Sequence, residues 1–177
     1  IMSIIEDSSG VLWFGTDGGG VSCLVPSEQK NGKELLFTRY THREEDPSSL
    51  SHNQVFTIYE DKNKTIWIGT LGGGLNRFDP GKKCFDHFKN DLAAANSLGD
   101  NSVLSILMDS AGMLWVGTVN GLNKFDSKNG RWTLYTKKDG LPNNVINGIL
   151  EEDPLPGSPV GNLWLSTNMG LSRFNIE

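Results

Sequence analysis

Across 177 residues, 37% apolar and 21% charged, the chain has the composition of a soluble globular protein with enough length for a real core. The formal net charge of -5, with Lys and Arg scattered singly, excludes a nucleic-acid surface, because phosphate binding needs clustered cations. No apolar run approaches the roughly 20 residues that cross a bilayer, and three His with no HxxxH or CxxC spacing leave no metal centre to expect.

Residues 6–20 read EDSSGVLWFGTDGGG, a Trp and a run of glycines behind two carboxylates, which taken alone could hold a sugar or a phosphate. The chain then repeats the stretch. Residues 60–74 read EDKNKTIWIGTLGGG, residues 109–121 read DSAGMLWVGTVNG, and residues 151–170 read EEDPLPGSPVGNLWLSTNMG, extended before the Trp. Trp13, Trp67, Trp115 and Trp164 are 54, 48 and 49 residues apart, longer than a WD40 blade but within the range of propeller repeats. Ile1 already matches the first position of the unit, so the chain reads as a piece of a longer protein. Cys23 and Cys84 hold non-corresponding positions in different units, and no disulfide is expected between them.

Each later unit opens on the same spacing: Leu50, Asn53 and Val55, then Leu98, Asn101 and Val103, then Leu141, Asn144 and Ile146. The second unit predicts extended runs at 55–60, 65–70, 74–79 and 84–89, separated by DKNK, LGG and PGKK, and no helical period occurs. Connections this short and this rich in Gly, Asn, Asp and Pro make hairpins, so each unit is one antiparallel meander, a propeller blade. The reading is all-β: a β-propeller fragment with blades at about 1–50, 51–98, 99–141 and 142–177, three complete and four-stranded, the fourth lacking its outer strand.

The run TIWIGT is apolar on both faces, as where sheets stack on both sides. Trp13 with Gly15, Trp67 with Gly69, and Trp115 with Gly117 then share a face, the indole packing on a neighbouring blade and the Gly leaving room. Trp164 is their counterpart in the fourth unit. The glycine runs lead from strand to strand and no GK[ST] follows, so they are turns at positive φ and no phosphate cradle. The acids are read as turn formers, since the pair Glu60 and Asp61 recurs as Glu6 and Asp7 and as Glu151 and Glu152, which a catalytic pair need not do.

The unit, seen as IYEDKNKTIWIGTLGGGLNRFD at 58–79, resembles the two-component regulator propeller repeat, and the likeness runs over nearly the whole chain. Gly-Thr stands at 15–16, 69–70 and 117–118 and becomes Ser166 and Thr167 in the last unit. The resemblance implies the sensor region of a bacterial hybrid two-component histidine kinase, a periplasmic or extracellular portion of an inner-membrane protein. It further implies a non-enzymatic role, sensing a glycan or its breakdown product without a cofactor, with the remaining blades of the parent chain as partners. Four units with open ends expose apolar surface, so association is expected, into a homo-oligomer where those blades are missing.

By analogy with propellers at large, the loop leading into a blade's inner strand and the loop between its second and third strands share one face. Asn53, Asn101 and Asn144 recur at one position there and are expected to cap the strand starts. The ligand-binding candidates are Asp17, His52, Asp100, Asn120, Asn143 and Asn168, whose amides and carboxylates suit the hydroxyls of an oligosaccharide. The rival readings are a propeller lyase or hydrolase and a purely structural protein–protein platform. The sialidase box SxDxGxTW sets Asp and Trp five apart, whereas Asp7 and Trp13 are six apart, and five scattered Arg promise no catalytic cluster.

Overall fold

The computed structural model describes residues 1–25, 36–153 and 161–176, and the extension of the fourth unit, at 154–160, lies outside them. The first sheet runs β1 (Ser3–Glu6), β2 (Leu12–Gly15), β3 (Val21–Val25), β4 (Leu36–Tyr40). The second runs β5 (Val55–Glu60), β6 (Ile66–Thr70), β7 (Leu75–Asp79), β8 (Cys84–Phe88), within one residue of the expected bounds. The third is β9 (Val103–Met108), β10 (Leu114–Thr118), β11 (Gly121–Asp126), β12 (Arg131–Tyr135), and the fourth is β13 (Ile146–Glu151), β14 (Leu163–Thr167), β15 (Gly170–Phe174). Strands pair in chain order and antiparallel, giving four, four, four and three strands among the described residues. A 3-10 turn, Lys137–Asp139, follows β12.

Local chemistry sets these hairpins. Between β6 and β7, Gly72 and Gly74 have φ of 92° and 81°, a left-handed backbone that glycine adopts without steric cost. A Cβ on Gly74 would lie 2.4 Å from the Phe88 carbonyl oxygen, so the turn tolerates no side chain there. Between β5 and β6 the Asp61 carboxylate accepts the backbone N–H groups of Asn63 and Thr65 at 2.8 and 2.9 Å, an Asx-type turn.

The four sheets stack in sequence, the first strand of each lying against the first strand of the sheet before it. Each junction carries its own apolar cluster: Trp13, Val21, Val55, Ile58 and Phe78 at the first, Trp67, Leu75, Val103 and Ile106 at the second, Trp115, Leu122, Ile146 and Leu163 at the third. The expected division of labour holds at these junctions. Trp13, Trp67 and Trp115 are buried, and a Cβ on Gly15 or Gly69 would stand 2.7 or 2.6 Å from a methyl of Val55 or Val103. Gly117 would meet Ile146 in the same way, 2.7 Å from its carbonyl oxygen.

The acids do more than form turns. Asp7, Asp61 and Asp109 each accept the indole N–H of the Trp six residues on, at 2.8, 2.9 and 2.7 Å, so the buried indole is satisfied within its own hairpin. Burial opposes ionisation of Asp7, but the bonds from Ser9, Trp13 and Val11 outweigh it and hold the carboxyl below its usual range. The preceding acid reaches across the junction instead: Glu60 accepts from Ser8 of the first sheet, and Glu151 from Ser110 of the third.

Trp164 departs from the expectation of a packed indole. It is 39% exposed on the face of the fourth sheet that points away from the third, with Leu171 and Leu150 exposed beside it. Asp gives way to Glu152 in its hairpin, and Glu152 accepts from Asn162 and Arg173.

Candidate functional site

The loops leading into β5, β9 and β13 and the turns β2–β3, β6–β7 and β10–β11 do share one rim, joined by backbone hydrogen bonds. The Asn53 carbonyl accepts the N–H groups of Gly18 and Gly20 at 3.1 and 2.9 Å, the Asn101 carbonyl those of Gly72 and Gly74 at 3.0 and 2.8 Å, and the Asn144 carbonyl that of Gly121 at 2.7 Å. The side chains of the same residues turn to the preceding sheet. Asn53 Oδ1 accepts from the backbone of His42, Asn101 Oδ1 from Asn90 and Asn144 Oδ1 from Lys137, at 2.7, 2.7 and 2.8 Å. The recurring Asn is therefore a staple between neighbouring sheets, and the expectation that it caps its own strand is corrected.

Capping falls to the residue before it. His52 Nδ1, Asp100 Oδ1 and Asn143 Oδ1 accept the backbone N–H two residues on, from Gln54, Ser102 and Val145, at 3.2, 2.7 and 2.8 Å. These three candidates are half-buried, each with one acceptor atom already committed to its turn.

Asp17, Asn120 and Asn168 are exposed on the turns after the second strands. Asp17 Oδ1 accepts from Gln54 Nε2 at 2.8 Å and Asn120 Oδ1 from Asn144 Nδ2 at 3.2 Å, both across a sheet junction. Asn168 Oδ1 accepts from Asn147 Nδ2 at 2.9 Å within the fourth sheet. The structure thus sets all six candidates on the rim, three as exposed turn residues with neighbouring amides and three as caps beneath them.

Two rim residues lay beyond sequence reasoning. Gln54 partners Asp17, and Arg39 Nε donates to the Gly19 carbonyl at 2.8 Å, bringing a cation to the first turn. Only the β3–β4 register, Ser22 against Arg39, carries Arg39 to this end of the sheet, and no local motif signals it. The rim offers carboxylate and amide oxygens, amide N–H groups and the Arg39 guanidinium, groups able to hydrogen-bond hydroxyls. Among the described residues, no three His, Cys, Asp or Glu converge to hold a metal ion. No helix among them is long and apolar enough to cross a membrane.

Four stacked meanders with a shared loop rim define a stretch of β-propeller. Its sequence matches the profile of the two component regulator propeller at residues 1–18, 49–72 and 97–120, so the chain carries three matched copies of that repeat. It is 35% identical over 97% of its length to histidine kinase P4 of Formosa agariphila, of which it covers 12%. Among solved structures it is similar to an extracellular domain of B. thetaiotaomicron described as hybrid two component system BT4673, with 28% identity and a TM-score of 0.77 over 98% of this chain and 23% of that one. The extracellular domain described as hybrid two component system BT3049, from the same organism, matches at 28% identity and a TM-score of 0.64, over 97% of this chain and 27% of that one. The chain spans about a quarter of those domains, and is a propeller segment of the kind they contain.

Proposed function

We propose that this chain is part of the periplasmic or extracellular sensor propeller of a two-component histidine kinase, with its units acting as one non-catalytic recognition surface. Its ligand is a glycan or a glycan breakdown product, bound at the rim. The observation that carries this reading is the contrast between scaffold and surface. The Asn staples repeat at Asn53, Asn101 and Asn144, while the position beside them changes through Asp17, Leu71, Val119 and Asn168, exposed at all but the half-buried Leu71. A repeated frame bearing a varied edge, polar at Asp17 and Asn168 and apolar at Leu71 and Val119, is what a selective site on a repeat protein requires. Side-chain amides and carboxylates held by neighbours keep their remaining lone pairs and N–H groups for ligand hydroxyls.

Calorimetric titration with a panel of neutral and acidic oligosaccharides tests the reading. One member of the panel binds, and Asp17→Ala or Asn120→Ala weakens it by about 1 kcal/mol with the fold unchanged. Absence of binding across the panel, or binding indifferent to both substitutions, overturns the rim as the site, and turnover of a sugar overturns the non-catalytic role.

A further inference from the structure

The fold gathers cations that the sequence holds apart. Between the fourth strands of the first two sheets, β4 and β8, lies a pocket of about 240 Å³, walled by the loop 41–50 and the β7–β8 hairpin. The loop brings Arg43 to it and the hairpin brings Lys82 and Lys83, in a chain of net charge -5. The loop is fixed in place. The Arg43 N–H donates to Ser49 Oγ at 2.9 Å, the Ser48 carbonyl accepts the Phe85 N–H at 2.9 Å, and the Ser49 carbonyl accepts from His87 Nε2 at 2.7 Å. Arg43 therefore stands on a segment pinned along β8.

The second junction builds the same loop and hairpin without these charges. The Asp91 N–H donates to Ser97 Oγ at 3.0 Å as Arg43 does to Ser49, so Asp91 holds the place of Arg43, and Asn129 and Gly130 hold the places of Lys82 and Lys83. Asn96, in the place of Ser48, closes the loop onto the hairpin, donating from Nδ2 to the Gly130 carbonyl at 3.1 Å and accepting the Trp132 N–H at 2.7 Å. Such a loop thus folds with no cation at any of the three positions. Lys83 moreover keeps the backbone that glycine serves elsewhere: its φ is 54° where that of Gly130 is 66°, a left-handed conformation strained for a residue with a Cβ. Lys64, the other described non-glycine residue with positive φ, lies on the β5–β6 hairpin and does not border the pocket. Strain of this kind persists where the side chain has a use.

Part of the charge is answered within the protein. Asp46 pairs with Arg43 and accepts from Ser48, and Lys82 lies 3.7 Å from Asp79. Arg39 borders the pocket from β4 with its Nε committed to the Gly19 carbonyl, and Glu44 and Glu45, on the same loop as Arg43, do not border it. The Lys83 ammonium has no carboxylate partner among the described residues, and Arg43 keeps N–H groups beyond the one given to Asp46. A guanidinium fork and a compact ammonium, offered from two separate segments, form a donor set that is not planar and suits a tetrahedral anion better than a flat one. We propose that this pocket binds a tetrahedral oxyanion, sulfate or phosphate, between Arg43 and Lys83. It is a site apart from the rim, whose six candidates do not border it.

Calorimetric titration of the 177-residue chain at low ionic strength tests this with inorganic sulfate, inorganic phosphate, glucose 6-sulfate and glucose 6-phosphate. The anions bind, and Lys83→Gln or Arg43→Gln weakens them at least about tenfold. Lys128→Gln, the same change on the exposed hairpin of the third sheet, leaves binding as it was. Lys83→Gly loses the same affinity yet raises the urea midpoint, because the strain leaves with the side chain. Tighter binding of the esters assigns a small ester as the source of the anion, and tighter binding of the inorganic ions assigns a free ion. No binding by any of the four, binding indifferent to Lys83→Gln and Arg43→Gln, or an equal loss in Lys128→Gln overturns the proposal. A lower midpoint in Lys83→Gly overturns the argument from strain.

Discussion

Glu60 and Ser8 meet across the junction of the first two sheets, the carboxylate accepting both the Ser8 backbone N–H and its Oγ–H at 2.7 Å. Glu6, the same position on the first sheet, is exposed on the side that no described sheet covers. Glu60→Ala therefore destabilises by about 1 kcal/mol, the discounted worth of two exposed charge-assisted bonds, whereas Glu6→Ala is neutral. Urea unfolding of the two variants side by side reads the difference, and equal midpoints would show the clamp to be inert.

The indoles separate in the same experiment. Trp67 is 5% exposed, with its N–H on Asp61, and Trp67→Ala costs about 3–5 kcal/mol in lost burial and cavity formation. Trp164 lies 39% exposed with no described sheet upon it, and Trp164→Ala costs under about 1 kcal/mol in this chain. Asp61→Asn retains a group that can accept from the indole but weakens the turn, with an intermediate loss.

Space at the glycine sockets is testable by paired substitution. A Cβ on Gly69 would lie 2.6 Å from Val103 Cγ1 and from Thr57 Cγ2, so Gly69→Ala costs about 1–3 kcal/mol by overpacking. Combining it with Val103→Ala costs less than the two single changes added together, because the second removes the methyl that the first collides with. Additivity in that double-mutant cycle would mean that the Val103 contact is not the limit.

Acidity enters through two groups with opposite charge types and the same sign of effect. Burial pushes the His87 imidazole below its ordinary value, only partly offset by its Nε2–H bond to the Ser49 carbonyl, so the folded state holds the proton less tightly than the unfolded chain. That contribution is full above about pH 6.5 and is lost as pH falls below it. Asp7, also held low, contributes above about pH 4 and loses that contribution as pH falls through its folded value. Urea midpoints from pH 8 down to pH 3 fall in two steps on this account, and His87→Gln removes the upper one.

The repeat made most of the fold legible. TIWIGT announces a strand buried on both faces because its side chains are apolar at every position, and the glycine turns announce themselves by chemistry, so the β6 and β7 bounds were readable to a residue. Contacts across junctions were not readable in that way. Nothing local distinguishes Glu60, which reaches Ser8, from Asp61, which holds Trp67, since both sit at one hairpin and part only when neighbouring sheets are in place. The same reason exchanged the roles of Asn53 and His52. A polar residue before a strand can cap it, but which of two adjacent ones does so depends on whether a preceding sheet offers the His42 N–H. Trp164 is bare among the described residues, since a sequence repeat marks a packing residue without saying whether its packing partner is present.

The Asn staples give the rim a mechanical character. Since the turns β2–β3, β6–β7 and β10–β11 hang by their amides from the carbonyl of the next sheet, at Asn53, Asn101 and Asn144, each of these three turns belongs to two sheets at once. A tilt of one sheet relative to its neighbour must drag the intervening turn with it or break its backbone bonds, two at each of the first two seams and one at the third, so the edge is geared to the seams between sheets. A molecule gripped between Asp17 and Gln54 would lock the first seam at one angle, and a force applied at a distant seam would register at this edge as a change in spacing between polar groups.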